Sequence, residues 1–155
     1  MKTIKYIMML FITSLALNSV AASIEKSIEA RQSYMKLYAF NLGIAGDMAK
    51  GKSEYNAEQA KNAAKNLLSL AMMNNAAMWP EGSSNQDEEG KGITRAKPAL
   101  WSTYPEVINK HKNLVTALER FSLLAGDGIE SLQKGMKSVG RGCGGCHKQF
   151  RAKNK

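Results

Sequence analysis

The sequence predicts an all-α fold, a four-helix bundle. Four stretches repeat apolar residues at spacings of three and four, which is the helical period. No stretch alternates apolar and polar residues as a half-buried strand does. The connections carry glycine, proline, asparagine or aspartate, so each helix has its own start and stop.

The first residues stand outside that bundle. Lys2 and Lys5 precede an apolar run from Ile7 to Leu17, and Val20-Ala21-Ala22 offers small residues for cleavage. This is the layout of a secretory signal peptide over residues 1–22, with one domain over 23–155. The apolar run is 11 residues long, well short of the ~20 that cross a bilayer. No membrane span is therefore expected in the mature protein. Cleavage removes two lysines and no acid, which lowers the formal charge from +9 to +7.

Ser23 is placed to cap the first helix, whose stripe is Ile24, Ile28, Arg31, Met35, Tyr38, Leu42 and Ala45, ending near Gly51. Asn56, with Gln59 three residues on, is a capping-box start for the second. Its stripe, Ala57, Ala60, Ala64, Leu67, Leu68, Ala71 and Met78, is rich in alanine, which suits close approach to a neighbouring helix or to a partner subunit. Trp79-Pro80 stops it, since proline removes a donor and disfavours helix in the residue before it. Residues 80–97 collect glycines, serines and acids and read as one long connection. Pro98 and Pro105 sit at helix starts. The third helix runs from about 105 to 125 through Val107 or Ile108, His111, Leu114, Val115, Leu118, Phe121 and Ala125. Gly126 ends it and Asp127 can cap the fourth. The fourth is the most regular: Ile129, Leu132, Met136, Val139, Cys143, Cys146 and Phe150 form one seam, with Lys134, Lys137, Arg141 and Lys148 opposite.

That seam contains Cys143-Gly144-Gly145-Cys146-His147, with the only two cysteines of the chain. C-x-x-C-H is the pattern of covalent haem attachment. Two thiols three residues apart can add to the two vinyl groups of one porphyrin edge, and the next residue supplies an imidazole for the iron. On a helix the three share a face. Two other readings compete with it. A structural zinc site needs four ligands, and only His111 joins these three, with His147 too close to Cys146 for the usual zinc spacing. A redox dithiol expects a βαβ context, which this sequence lacks. One haem c, bound through Cys143 and Cys146 with His147 axial, is therefore expected inside the bundle. Gly142, Gly144 and Gly145 are poor helix formers, and clearance for the porphyrin would explain them. His111 reads as a partly buried structural histidine and not as a second ligand.

With these features the chain resembles the cytochrome c′ family, the class II c-type cytochromes, over 23–153. The motif lies near the C-terminus, as in that family. Arg31-Gln32 resembles its Arg-Gln pair beside the haem propionates. Thr94-Arg95-Ala96-Lys97-Pro98 with Trp101 resembles its segment ahead of the third helix, where the Thr94 position touches the haem edge. Phe150-Arg151 resembles its closing Phe-Arg. The resemblance implies an antiparallel bundle, haem c, a periplasmic location and a homodimer built on the first two helices. It makes Arg31, Gln32 and Thr94 candidate haem contacts. On the residues alone, Arg31 either snorkels to solvent or, if buried, pairs with a propionate.

The sixth iron position is left between two readings. The family presents a residue four after the arginine to that face, here Met35. As an apolar cap it leaves the iron five-coordinate, binding nitric oxide or carbon monoxide. As a second axial ligand it gives a six-coordinate His/Met electron carrier. No catalytic triad, paired carboxylates or phosphate loop appears, so an enzyme is not expected. Aromatics are 7% of the chain and no nucleic-acid motif is present, so nucleic acid is not an expected partner. The basic face of Lys134, Lys137, Arg141 and Lys148 is either a solvated helix face or a dock for an acidic redox partner.

Overall fold

The computed structural model describes residues 2–153, with side chains from Ser23 to Lys153. Helix α1 spans Lys2–Ala49, α2 Ala57–Met72, the short α3 Ala99–Ser102, α4 Tyr104–Leu124 and α5 Ile129–Phe150. A single 3-10 turn, Ala76–Met78, lies between α2 and α3. The expected leader 1–22 falls outside the residues whose side chains are described.

The four long helices form a closed square: α1 borders α2 and α5, and α4 borders α2 and α5. The register is antiparallel at each side. Between α1 and α2, Asn66 donates to Asn41 and Tyr34 to the carbonyl of Leu70. Between α1 and α5, Gln133 donates to the carbonyl of Ala49 while Gly46 faces Met136. Between α4 and α5, Phe121 meets Gly135, Leu114 meets Gly142 and Gln149 donates to Glu106. The fold is thus an antiparallel four-helix bundle, as expected.

The alanines of α2 explain how tightly it sits. Ala60, Ala63, Ala64 and Ala71 are buried around Leu67 and pack with Tyr34, Ala45 and Met48 of α1 and Leu118 and Phe121 of α4. Small side chains let backbones approach closely, so this stripe serves the chain's own core. Asn56 caps α2 by accepting from the amide of Gln59 at 2.9 Å. The reciprocal half of the box is replaced by Met48, whose sulfur accepts from the Asn56 amide at 3.3 Å.

Several boundaries differ from expectation. Ser23 caps nothing, because α1 runs through it and its carbonyl accepts from the Ser27 hydroxyl; no proline or glycine interrupts the chain there. The second helix stops at Met72 and not at Met78. Asn74 and Asn75 divert it: Asn74 accepts from the amide of Ala76, and Asn75 donates to Tyr34. Such local side-chain bonds compete with helix. Asp127 does not cap α5; Gly128 does, at φ 110°, a conformation open to glycine. Met35 leaves the buried stripe of α1, which runs through Tyr34, Tyr38 and Asn41.

Candidate haem site

Three regions converge at the site: the end of α5, the middle of α1, and the connection from Trp79 to Trp101. The C-x-x-C-H run is fully helical despite its glycines. Buried Val139 before it and buried Phe150 after it hold that end of α5 to the bundle. Past Phe150 the chain pairs with the connection. Lys97 donates its amide to the carbonyl of Phe150, and Ala152 donates to that of Arg95. An antiparallel bridge joins Ala96 and Arg151 between them.

Cys143, Cys146 and His147 are all half-buried on α5. Both thiols are free. Cys143 packs against the core, with Tyr38 of α1 close enough to feel its charge, and Cys146 lies beside Lys110 of α4. Burial pushes both thiols above their ordinary range, so they stand protonated at neutral pH. Burial, then Arg151 and Arg95, push His147 down, which keeps a neutral imidazole with a lone pair for a metal. No group of three or more His, Cys, Asp or Glu able to hold a bare metal ion occurs among the described residues.

Arg31 is buried, at 2% exposure, so it does not snorkel. Its guanidinium donates to the Ser83 hydroxyl at 2.7 Å, the Ser83 carbonyl, the Thr94 hydroxyl at 3.1 Å and the Met78 carbonyl at 3.3 Å. It lies 5.0 Å from the centre of the Trp79 ring and 5.9 Å from that of Trp101. Trp101 in turn donates its indole N–H to the carbonyl of Trp79. Desolvation lowers the Arg31 pKa to about 10, so the group is still a cation at neutral pH. Gln32 is exposed and donates to the carbonyl of Ile93. Arg31 and Thr94 are therefore bonded directly, and Gln32 reaches the same connection one residue earlier, at Ile93. Trp79 and Ser83 are partners the sequence reading missed. From sequence Trp79 reads only as a helix stop, and the second tryptophan, Trp101, is the available signal of an aromatic cradle for a cation.

Met35 lies one turn beyond Arg31, at 38% exposure and outside the core. It makes no hydrogen-bonded link to the Arg31 group, and its turn of α1 is flanked by Tyr34 and Tyr38. His111 is half-buried on α4.

The residues fit a covalently held haem. Two protonated thiols and a neutral imidazole share one face. On α5, Gly140 and Gly144 stand at the spacings that join them to His147, and a Cβ at either would meet nothing within 4 Å. The backbone is therefore bare beside the imidazole, as a flat ring system requires. Gly142 and Gly145 were expected to share this purpose. Gly142 does not, because a Cβ there would stand 3.1 Å from Leu114; its role is to let α4 approach.

A family model described as Cytochrome C′ matches residues 26–151. Cytochrome c-554 of Cereibacter sphaeroides is 37% identical over 134 residues, spanning 86% of this chain and 98% of that protein. A cytochrome c′ of the same species is 33% identical, spanning 87% and 89%. Among solved structures, cytochrome c′ from Rhodobacter spheriodes superposes with a TM-score of 0.80 at 33% identity, over 84% of this chain and 98% of that one. A cytochrome c′ described by its ligand-controlled dimer dissociation gives 0.73 at 26% identity, over 84% and 98%. A variant of cytochrome c prime from Alcaligenes xylosoxidans with bound NO gives 0.71 at 25% identity, over 86% and 98%. The family match covers nearly all of the bundle, including the attachment motif, and on this ground the chain belongs to the cytochrome c′ family.

Proposed function

We propose that this haem c protein is exported to the periplasm behind its leader. There it is a non-enzymatic carrier of single electrons and binder of small gases, nitric oxide and carbon monoxide, with His147 as axial ligand. The observation that carries the reading is the half-buried face of α5 shared by Cys143, Cys146 and His147 beside bare Gly140 and Gly144. Bound haem supplies an iron that cycles between two oxidation states and offers a coordination position to a small ligand. Cys143 and Cys146 hold the group covalently, so it survives partial opening of the bundle. Neutral His147 donates its lone pair. Tyr38 and the core side chains around Cys143 keep water from the attachment edge. Arg31 holds a buried positive charge whose hydrogen-bond partners are neutral oxygens, which suits it to balance a propionate.

The test is mass and colour. Periplasmic protein made with a working maturation system should weigh the mature chain plus one haem. Its reduced form should change spectrum on adding carbon monoxide or nitric oxide. A colourless product with the mass of the bare chain would overturn the proposal.

A second reading is supported by Met35. It stands outside the buried cluster, one turn beyond Arg31, and a thioether there is a candidate second axial ligand. In that case the protein is a six-coordinate His/Met electron carrier. A near-infrared iron–methionine band should then be present and be lost in Met35→Leu. A spectrum unchanged by Met35→Leu would leave the five-coordinate reading.

The chain is further proposed to pair with a second copy through α1 and α2. Leu37 and Phe40 of α1 are 52% and 66% exposed, and Met72 and Met73 project at the end of α2.

A further inference from the structure

A crevice of about 350 Å³ opens beside His147, lined by Arg95, His147, Lys148, Arg151, Ala152 and Lys153. No carboxylate among the described residues lines it. The nearby Glu106 is engaged, accepting from Gln149 at 2.7 Å and pairing with Lys110 at 3.8 Å. The segments that carry Arg95 and Arg151 are held together by backbone, and Lys148 stands on α5. The bridge between Ala96 and Arg151, flanked by the bonds from Lys97 to Phe150 and from Ala152 to Arg95, brings the two arginines to the crevice that His147 lines. Lys148 and Lys153 add charge at the rim.

We propose that this crevice is where an acidic redox protein docks, seating surface carboxylates among Arg95, Lys148, Arg151 and Lys153. This deepens the functional reading above and rests on it. Three features point to a protein partner. The four cations are exposed, and exposed charges bind through a summed field spread over a surface. A small anion would instead need buried donors closing around it. The mature chain is strongly basic, at +7 once 1–22 is removed, so an acidic surface is complementary. The crevice is lined by the axial histidine itself, which brings a docked partner beside the residue that holds the iron. The lysine face expected from sequence differs in this respect. Lys134, Lys137 and Arg141 are exposed but take no part in the crevice, and only Lys148 of that set belongs to it.

The experiment compares two variants of equal net charge, Lys148→Gln/Lys153→Gln and Lys134→Gln/Lys137→Gln. Each is made as the matured holoprotein. The probe is a flavodoxin, used as a strongly acidic redox protein. Affinity is measured at low ionic strength, and zero-length carbodiimide coupling of lysine amines to probe carboxylates is mapped by mass spectrometry. The crevice pair should weaken binding about fivefold more than the other pair, and wild-type coupling should occur at Lys148 and Lys153. Equal weakening by the two pairs, or coupling concentrated at Lys134 and Lys137, would overturn the docking site. The haem spectrum of the same samples separates the two levels. A sample without it overturns the haem reading and this proposal together. A sample with haem that fails the comparison overturns this proposal alone.

Discussion

At the scale of single residues, Arg31 is the side chain on which the long connection depends. One guanidinium links α1 to Met78, Ser83 and Thr94 and lies against two indole rings. Hydrogen bonds from a charged donor contribute roughly 1.5–3 kcal/mol each, and acceptors left buried without a partner cost more. Replacing Arg31 with methionine keeps much of the volume and removes every donor. Stability to urea should fall by about 2–4 kcal/mol, and amides of residues 83–94 should exchange faster than those of α2. Unchanged exchange in that segment would show that the connection is held by other means. The sequence marked Arg31 only through its resemblance and its place on an apolar stripe. Its acceptors lie about fifty residues away in a loop, and no periodicity reports on a loop's carbonyls. The place of Met35 on the buried stripe was misjudged for a related reason. A stripe drawn at spacings of three and four admits either Tyr34 or Met35, and only the position of α5 decides between them.

At the scale of elements, α4 and α5 show how glycine sets an interhelical distance. A Cβ at Gly135 would clash with the Phe121 ring, which is itself buried. In an exposed helix, alanine would stabilise by up to about 1 kcal/mol over glycine. Here overpacking dominates, at a cost of roughly 1–3 kcal/mol. Gly135→Ala should therefore lower the urea midpoint by the equivalent of about 1–2 kcal/mol. A gain in stability would mean that α4 shifts freely. The connection 80–97 offers a pH test. Asp87 accepts from the Ser84 amide at 2.7 Å, and hydrogen bonding first from the Ser84 side chain and then from this amide holds its carboxyl below the usual carboxylate range. A depressed carboxyl stabilises the fold above its unfolded pKa, and that contribution is lost as pH falls through the folded value. Protection of the Ser84 amide should be constant from neutrality to about pH 5 and decline below the usual carboxylate range. Asp87→Asn should remove that decline. Persistence of the decline in Asp87→Asn would assign it to another group. The helices themselves were legible because apolar period, caps and prolines agreed from Asn56 and Pro105 onward. The ends at Met72 and Gly128 were not, because asparagine side chains and a positive φ decided them locally.

At the scale of the whole molecule, the bundle buries its α2 alanines and leaves large apolar side chains outside. Leu37 and Phe40 fall on one side of α1 at a spacing of three, with half-buried Ile44 four residues further on. Contiguous exposed apolar patches of several hundred Å² mark contact surfaces, and this row is the candidate for one. The attachment site faces elsewhere: Cys143 meets α1 at Tyr38, on the side of that helix that packs with α5. Pairing through Leu37 and Phe40 therefore leaves the haem face and the basic crevice open on each copy. A stable dimer of this size needs about 800 Å² buried on each partner, so a charge at the centre of the row should abolish it. Phe40→Lys removes an exposed ring and should leave monomer stability within about 0.5 kcal/mol. Sedimentation of the wild-type holoprotein should give twice the mass of the chain, and Phe40→Lys should give the single-chain mass with the same optical spectrum. A wild type that sediments as a monomer at high concentration would sink the pairing, and a dimer that persists in Phe40→Lys would move it to another face of the bundle.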